Sequence, residues 1–247
     1  MRIAVTQPNF LPWLGYFELL DRVDCFVALD DVQLVRGSFT VRNRVRSANG
    51  APRWMTLAVA RCSHTTPLNR ALVSRDRPWW ADILRALDSA YGAAPHWDWL
   101  RSWLAQALPP RPAETVIDYN LRLLHDLADM TGSAPARWYK ASELVSADNT
   151  GDQAERLIAI CRKLGASDFL NFRKGIDIGL HRPEFFAAHG IDLWRQDYNH
   201  PRYSQGDAEF VDRLSVIDLL AHAGPEEAGA IIRSGRAWTV MTPALAV

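Results

Sequence analysis

The sequence predicts an α/β fold: a Rossmann-like, mainly parallel sheet with flanking helices and a helical insertion. Three observations predict it. The stretch from Ile3 to Gln33 reads strand, loop, helix, strand; helix-then-strand order returns in the second half of the chain; and between them lies a block of helices rich in tryptophan and punctuated by prolines. A parallel neighbour needs a long crossover, usually a helix, so this alternation is what a parallel sheet leaves in a sequence. The chain divides into 1–75, an α/β half with a Gln-Pro loop and an arginine hairpin; 76–135, the helical insertion; and 136–247, a second α/β half. The three parts are expected to form one structural unit.

Ile3-Ala4-Val5 is the first strand, ended by Gln7-Pro8-Asn9-Phe10-Leu11-Pro12, which can continue neither a helix nor a central strand. From Trp13 the apolar residues Leu14, Phe17, Leu20 and Val23 fall near helical spacing, and Phe26-Val27-Ala28-Leu29 is a second strand closed by Asp30 and Asp31. Open α/β sheets bind ligands outside the carboxyl ends of their strands. Gln7, Asn9, Asp30, Asp31 and Gln33 would therefore converge on one crevice, with Gln7 and Asn9 beside a helix N-terminus. The competing reading makes Asn9 and Asp31 ordinary turn or capping residues.

Arg42, Arg44 and Arg46 alternate, so on a strand they share a face, and Asn49-Gly50 is a hairpin signal joining that strand to Arg53–Val59. Guanidinium forks grip carboxylates and phosphates in pairs of hydrogen bonds. Arg42, Asn43 and Arg44 are accordingly candidate substrate-binding residues, with Arg46 left outside; the alternatives are a solvated basic edge and pairing with Asp30 and Asp31. Cys62 and His64 have the spacing of a nucleophile and its base, against the simpler reading of a loop with an incidental histidine.

A helix runs from Pro78-Trp79-Trp80 to Tyr91-Gly92, and another from Pro95 to Pro109-Pro110. Their five tryptophans read first as helix packing and second as an aromatic pocket. Val116, Tyr119, Leu123, Leu124 and Leu127 give an amphipathic helix that stops at Thr131-Gly132. Trp138-Tyr139 is a short strand, Ser142–Asn149 a polar loop, and Asp152 caps a helix Gln153–Leu164 ended by Gly165. Asp168–Asn171 is the next strand, placing Asn171 at its carboxyl end; His181–His189 is helical and Ile191–Gln196 a further strand.

That last strand empties into Asp197–Gln205, a polar and aromatic loop read as the second half of the site. Among the seven histidines only His200 lies in a polar loop after a strand. It is the candidate general base, with Asp31 to orient it and Tyr203 or Gln205 to hold a developing oxyanion. Ser215 and Asp218 read as helix-capping residues, Gly224-Pro225 ends that helix, Glu226–Ser234 is a last one, and the tail after Trp238 is expected to be loose.

Twenty-eight basic and 28 acidic residues cancel over 247, which leaves no global field to draw the chain onto nucleic acid or an anionic membrane. No apolar run has the length of a membrane span and no signal sequence is evident, so a cytoplasmic location is expected. Cys25, Cys62 and Cys161 are odd in number and widely spaced, which suggests neither disulfides nor zinc. Dinucleotide, P-loop, serine-elbow and zincin fingerprints are missing; no metal or cofactor is expected.

The pattern Ile3-Ala4-x-x-Gln7-Pro8-x-Phe10-x-Pro12-x-x-Gly15-Tyr16-Phe17, then Asp24-x-Phe26-Val27, Asp30-Asp31-Val32-Gln33 and Arg42-Asn43-Arg44, resembles the WbqC-like family. So does His200-Pro201-x-Tyr203-x-Gln205 with Leu214-Ser215-x-Ile217-Asp218-Leu219-Leu220, so the resemblance runs nearly end to end. It implies a place in bacterial surface-polysaccharide or specialised-metabolite biosynthesis, and acyl or aminoacyl transfer to an amine. Leu170–Gly175 departs from the Ser-Gly-rich segment of many relatives, so the resemblance does not extend to a shared substrate.

Amides, carboxylates, arginines and one histidine, without a convincing nucleophile, suit direct transfer of an activated acyl group. The expected function is a small-molecule acyl or aminoacyl transferase. Its donor would be a thioester, a carrier protein or an aminoacyl-tRNA, and its acceptor a small amine or amino sugar. One alternative is nucleotidyl transfer or adenylate-forming ligation, although Pro12 and Tyr16 stand where such enzymes carry two histidines. The other is a carrier-protein or sugar-binding accessory factor.

Overall fold

The computed structural model describes residues 1–146, 152–177, 181–207 and 209–242. Its elements in chain order are β1 (Arg2–Thr6), α1 (Leu14–Arg22), β2 (Cys25–Ala28), β3 (Arg42–Arg46), β4 (Pro52–Thr56), α2 (Trp79–Tyr91), α3 (Trp97–Ala107), α4 (Val116–Met130) and β5 (Arg137–Lys140). There follow α5 (Ala141–Leu144), α6 (Gln153–Leu164), β6 (Asp168–Phe172), α7 (Arg173–Asp177), α8 (Pro183–Ala187), β7 (Asp192–Gln196), α9 (Val216–Ser234) and β8 (Trp238–Val240).

The main sheet has the order β5-β2-β1-β6-β7-β8, all pairs parallel except β7 with β8. Ile3, Ala4 and Val5 of β1 and all of β2 are buried, as strands covered by helices on both faces must be. One apolar layer holds Phe10, Leu14 and Phe17 together with Trp79, Leu104, Tyr119 and Leu220; the layer on the other face holds Ile3, Val27, Ile158 and Phe186. The tryptophan-rich helices thus pack into the same core as α1 and α9.

β3 and β4 form a separate antiparallel ribbon, with Gly50 at φ 84° supplying the left-handed turn. Its junction with the sheet is a buried amide: Asn120 Nδ2 of α4 donates to Pro8 O (2.9 Å) and Thr40 O (2.8 Å). That one side chain fixes the Gln7–Pro12 loop against the approach to β3.

Several local expectations need correction. The chain after Trp238 is not loose at first: β8 pairs with β7 because Trp238 Nε1 (2.8 Å) and Arg236 Nε (2.7 Å) both donate to Glu18 Oε1, a fully buried carboxylate on α1. Residues 243–247, the rest of that tail, lie outside the described residues. The polar segment from Ser142 begins as the short helix α5, and its continuation from 147 to Asn149 also lies outside them. Arg173–Asp177 is helical where no element was expected, and β4 ends at Thr56, short of Val59. The break at Gly224-Pro225 is as expected: Gly224, at φ 72° and ψ 177°, leaves the helical region and divides α9 into two helical segments, the second running to Ser234.

Candidate functional site

His200 lies in the loop after β7, half-buried in a cage of rings. The Trp13 indole stacks on it at 6.2 Å and 13°, and Tyr198, Tyr203 and Phe210 close the sides at 6.2, 6.4 and 5.9 Å. Trp13 can take that position because the residue two places on is glycine: a Cβ on Gly15 would stand 2.4 Å from the indole. His200 Nδ1 is 3.0 Å from Pro201 O, a pure acceptor, so Nδ1 carries the proton and Nε2 the lone pair. Nε2 is buried and has no hydrogen-bond partner. Burial also lowers the pKa of the ring, which keeps it neutral near pH 7.

Asp31 is not the group that orients His200. β2 and β7 are three strand steps apart, roughly 14 Å at the usual spacing. Asp31 instead faces Arg156 of α6, Nη2 to Oδ2 2.6 Å, with both side chains largely buried. Asp30 likewise braces the fold: its carboxylate accepts from Ser142 N (3.0 Å), Ser142 Oγ (2.6 Å) and Asn69 Nδ2 (3.2 Å).

Tyr203 and Gln205 come together with His200, but not as oxyanion donors. Their hydrogens are used internally: Tyr203 Oη donates to Asp218 Oδ2 at 2.7 Å, and Gln205 Nε2 donates to Asp218 Oδ2 and Val211 O, both at 2.9 Å. Tyr91 Oη gives Asp218 Oδ1 its own bond at 3.0 Å, so a fully buried carboxylate is the hub of the network. Burial and this carboxylate push the phenols of Tyr91 and Tyr203 far above their ordinary range, so both remain donors. Arg46 donates through Nη2 to Gln205 Oε1 and to Glu209 O, while its Nε and Nη1 are buried without partners.

The remaining candidates divide between the scaffold and an outer face. Gln7 Oε1 accepts from Thr40 Oγ1 (3.0 Å), and its backbone carbonyl accepts from Tyr16 Oη (2.9 Å). Asn9 is half-buried between Pro8 and Phe10, whose backbone groups anchor the loop. Asn43 Nδ2 donates to Phe10 O at 3.2 Å, and Gln33 Nε2 donates to His64 O at 2.6 Å. Asn171 pairs with His181, Nδ2 to Nε2 2.9 Å, inside the opposite layer. Arg42 lies over the Trp54 ring at 4.2 Å, and Arg44 reaches Arg213 O at 3.5 Å.

A cavity also lies away from the expected crevice. About 410 Å³ opens between Arg46–Gly50, the Ala90–Pro95 connection, Ser204–Asp207 and His222. It borders the His200–Gln205 loop but not the Gln7–Pro12 loop. What joins the two loops is Trp13, bridged to Ser215, whose N–H also donates to Arg44 O at 2.7 Å.

Sequence reasoning missed Trp13, Arg46, Tyr91 and Asp218 here. The Trp-x-Gly spacing was the signal for Trp13. Arg46 is the third member of the alternating series that named Arg42 and Arg44. Asp218 looked like a cap because the true cap, Ser215, which accepts from Ile217 N, lies one turn before it. Cys62 Sγ is 3.7 Å from Arg36 Nη2, and among the described residues no group of His, Cys, Asp and Glu could hold a metal ion. None of the described helices is long and apolar enough to cross a membrane.

A mainly parallel six-stranded sheet with flanking helices defines a Rossmann-like α/β protein. Within that class the chain belongs to the WbqC-like protein family, whose model matches residues 7–230. It is 28% identical over 229 residues to the uncharacterized protein Rv1507c of Mycobacterium tuberculosis, covering 91% of this chain and 95% of the relative. No solved structure matches.

Proposed function

We propose that the chain is a small-molecule acyl or aminoacyl transferase that forms an amide on an amine acceptor, with His200 as general base. One observation carries the reading: His200 presents a lone pair on Nε2 that nothing in the fold uses, while Nδ1 is locked to Pro201 O. A neutral imidazole held in that tautomer is ready to accept a proton. The amine nitrogen attacks the donor's acyl carbon, the bond from that carbon to the thioester or ester leaving group breaks, and Nε2 takes the proton the nitrogen sheds. The imidazolium returns it to the leaving group.

Substrate reaches Nε2 by displacing Phe210, whose ring has no polar group to tether it, whereas Tyr198 Oη donates to Ile232 O and Tyr203 Oη to Asp218 Oδ2. Tyr203 and Gln205 are positioning residues, holding the His200 loop to Asp218. Arg42 and Arg44 bind the donor's anionic part: neither meets a carboxylate within ion-pair distance among the described residues, and Arg44 adjoins Ser215, hence Trp13 and the cage. Gln7 and Asn9 form the loop that carries Trp13. A role in bacterial surface-sugar or specialised-metabolite biosynthesis and a cytoplasmic location accord with family membership.

The test is mass-spectrometric detection of a new amide after incubation with acyl-CoA, acyl-carrier and aminoacyl-tRNA donors and small amines or amino sugars. Amide formation without nucleotide consumption supports the reading. Release of pyrophosphate from ATP or CTP during the reaction would move the protein to the adenylate-forming class.

A further inference from the structure

Between Asp31 and Asp76 the chain has no acidic residue and eight arginines, although the whole is neutral with 28 charges of each sign. With those eight set aside, 20 basic residues face 28 acidic ones, so the rest of the molecule is acidic and the positive charge is concentrated here. None of the eight takes part in an ion pair among the described residues, whereas arginines elsewhere, such as Arg122, Arg156 and Arg236, do. Positive charge left unneutralised along one segment of the chain is charge available to a partner.

The fold turns this charge into a surface. In the β3–β4 register Arg44 faces Trp54 and Arg42 faces Thr56, so the two guanidiniums and the indole share one side of the ribbon. Trp54 is 43% exposed and Phe39 51%, and their rings lie 5.9 Å apart. Arg42 lies against one side of the indole. Trp99 is exposed as well, but Trp54 and Phe39 are exposed rings that stand side by side on a two-stranded ribbon, where a stacked partner would cover both.

We infer that the outer face of the β3–β4 ribbon is a docking surface for single-stranded nucleic acid. Bases stack on Trp54 and Phe39, and phosphates meet Arg42 and Arg44. Alternate residues of a strand are about 6.7 Å apart, so the two arginines address neighbouring phosphates of one strand. Flat π-faces with guanidiniums between them suit bases and phosphates. An acidic protein helix would need a groove for its apolar side, and the cavity beside Arg46 and Ala94 is lined by neither Trp54 nor Phe39. The inference deepens the assignment of Arg42 and Arg44 as anion-binding residues and rests on it: the anionic part of the donor would be a nucleic-acid strand.

The experiment is fluorescence anisotropy of a labelled single-stranded oligonucleotide of about 12 nucleotides, a length within the usual site sizes, titrated with the full chain at several salt concentrations. A duplex of the same length and an acidic acyl-carrier protein are the comparison ligands. The expected result is preference for the single strand, with affinity falling as salt rises. Trp54→Leu, at a surface position, should weaken binding roughly tenfold or more while circular dichroism is unchanged. Arg42→Ala with Arg44→Ala should reduce the logarithmic salt slope by about 1.4, two contacts at ~0.7 each. Absence of single-strand binding at low salt, an unchanged slope in the double variant, or binding to the acidic protein alone would overturn the inference. Since no turnover is measured, a negative result leaves the His200 reading standing, and an active His200→Gln enzyme leaves this one standing.

Discussion

At the scale of residues, the buried polar groups decide how the protein responds to pH and to substitution. His181 is buried with Nδ1 unpartnered, and desolvation lowers its pKa from 6.5 to about 4. The unfolded chain therefore binds this proton more readily, so stability is full above about pH 6.5 and falls as the pH drops toward 4. Up to about 3 kcal/mol is at stake over that window. Urea denaturation from pH 7.5 to 4.5 should show the fall, and His181→Leu should flatten part of it, since His125 and His200 are shifted in the same direction. A wild-type midpoint independent of pH would contradict the assignment. Asp218→Ala strands the donors Tyr91, Tyr203 and Gln205 in a buried site and should cost about 3 kcal/mol in chemical denaturation; a cost below ~0.5 kcal/mol would mean that water replaces the carboxylate. The position of His200 in the loop after β7 was legible because the strand before it carries its own alternation, and its residue type makes it a candidate base. The partners of Asp30 and Asp31 were not, because Ser142 and Arg156 lie 112 and 125 positions away in sequence.

At the scale of elements, one contact between α1 and the His200 loop carries the site. Gly15 lets the Trp13 indole fold back over the helix start, and the other face of that indole is available to His200. Gly15→Ala should force the ring outward, cost about 1–3 kcal/mol by overpacking and lower turnover with the overall fold intact. A variant with wild-type activity and melting temperature would show that the stack is dispensable. Elements with strong local signals were readable. Asp152 and Gly165 bound α6 through a side-chain cap on Glu155 N and a left-handed glycine, and Pro78 and Gly92 flank α2. β8 was not readable, because its three residues carry no period of their own and owe their place to Glu18 on a helix over two hundred positions earlier.

At the scale of the whole molecule, the helices of 76–135 share their apolar layer with α1 and α9, leaving no core that is theirs alone. Tryptophan fluorescence and far-ultraviolet circular dichroism should therefore report one coincident unfolding transition, and two separated transitions would show an independently stable insertion. The parallel sheet was legible from the alternation of helix and strand, whereas the position of the cavity depends on how the β3–β4 ribbon, α2 and the loop around Ser204 meet in space. The central claim is that His200 Nε2 removes the proton from an amine during amide formation. The most direct measurement is steady-state kinetics of His200→Gln against wild type with the donor and amine that give product. Glutamine keeps a hydrogen-bonding group but cannot act as a base. The account predicts a turnover number lower by roughly a hundredfold or more, with melting temperature and substrate binding little changed; a His200→Gln enzyme with full turnover would contradict it.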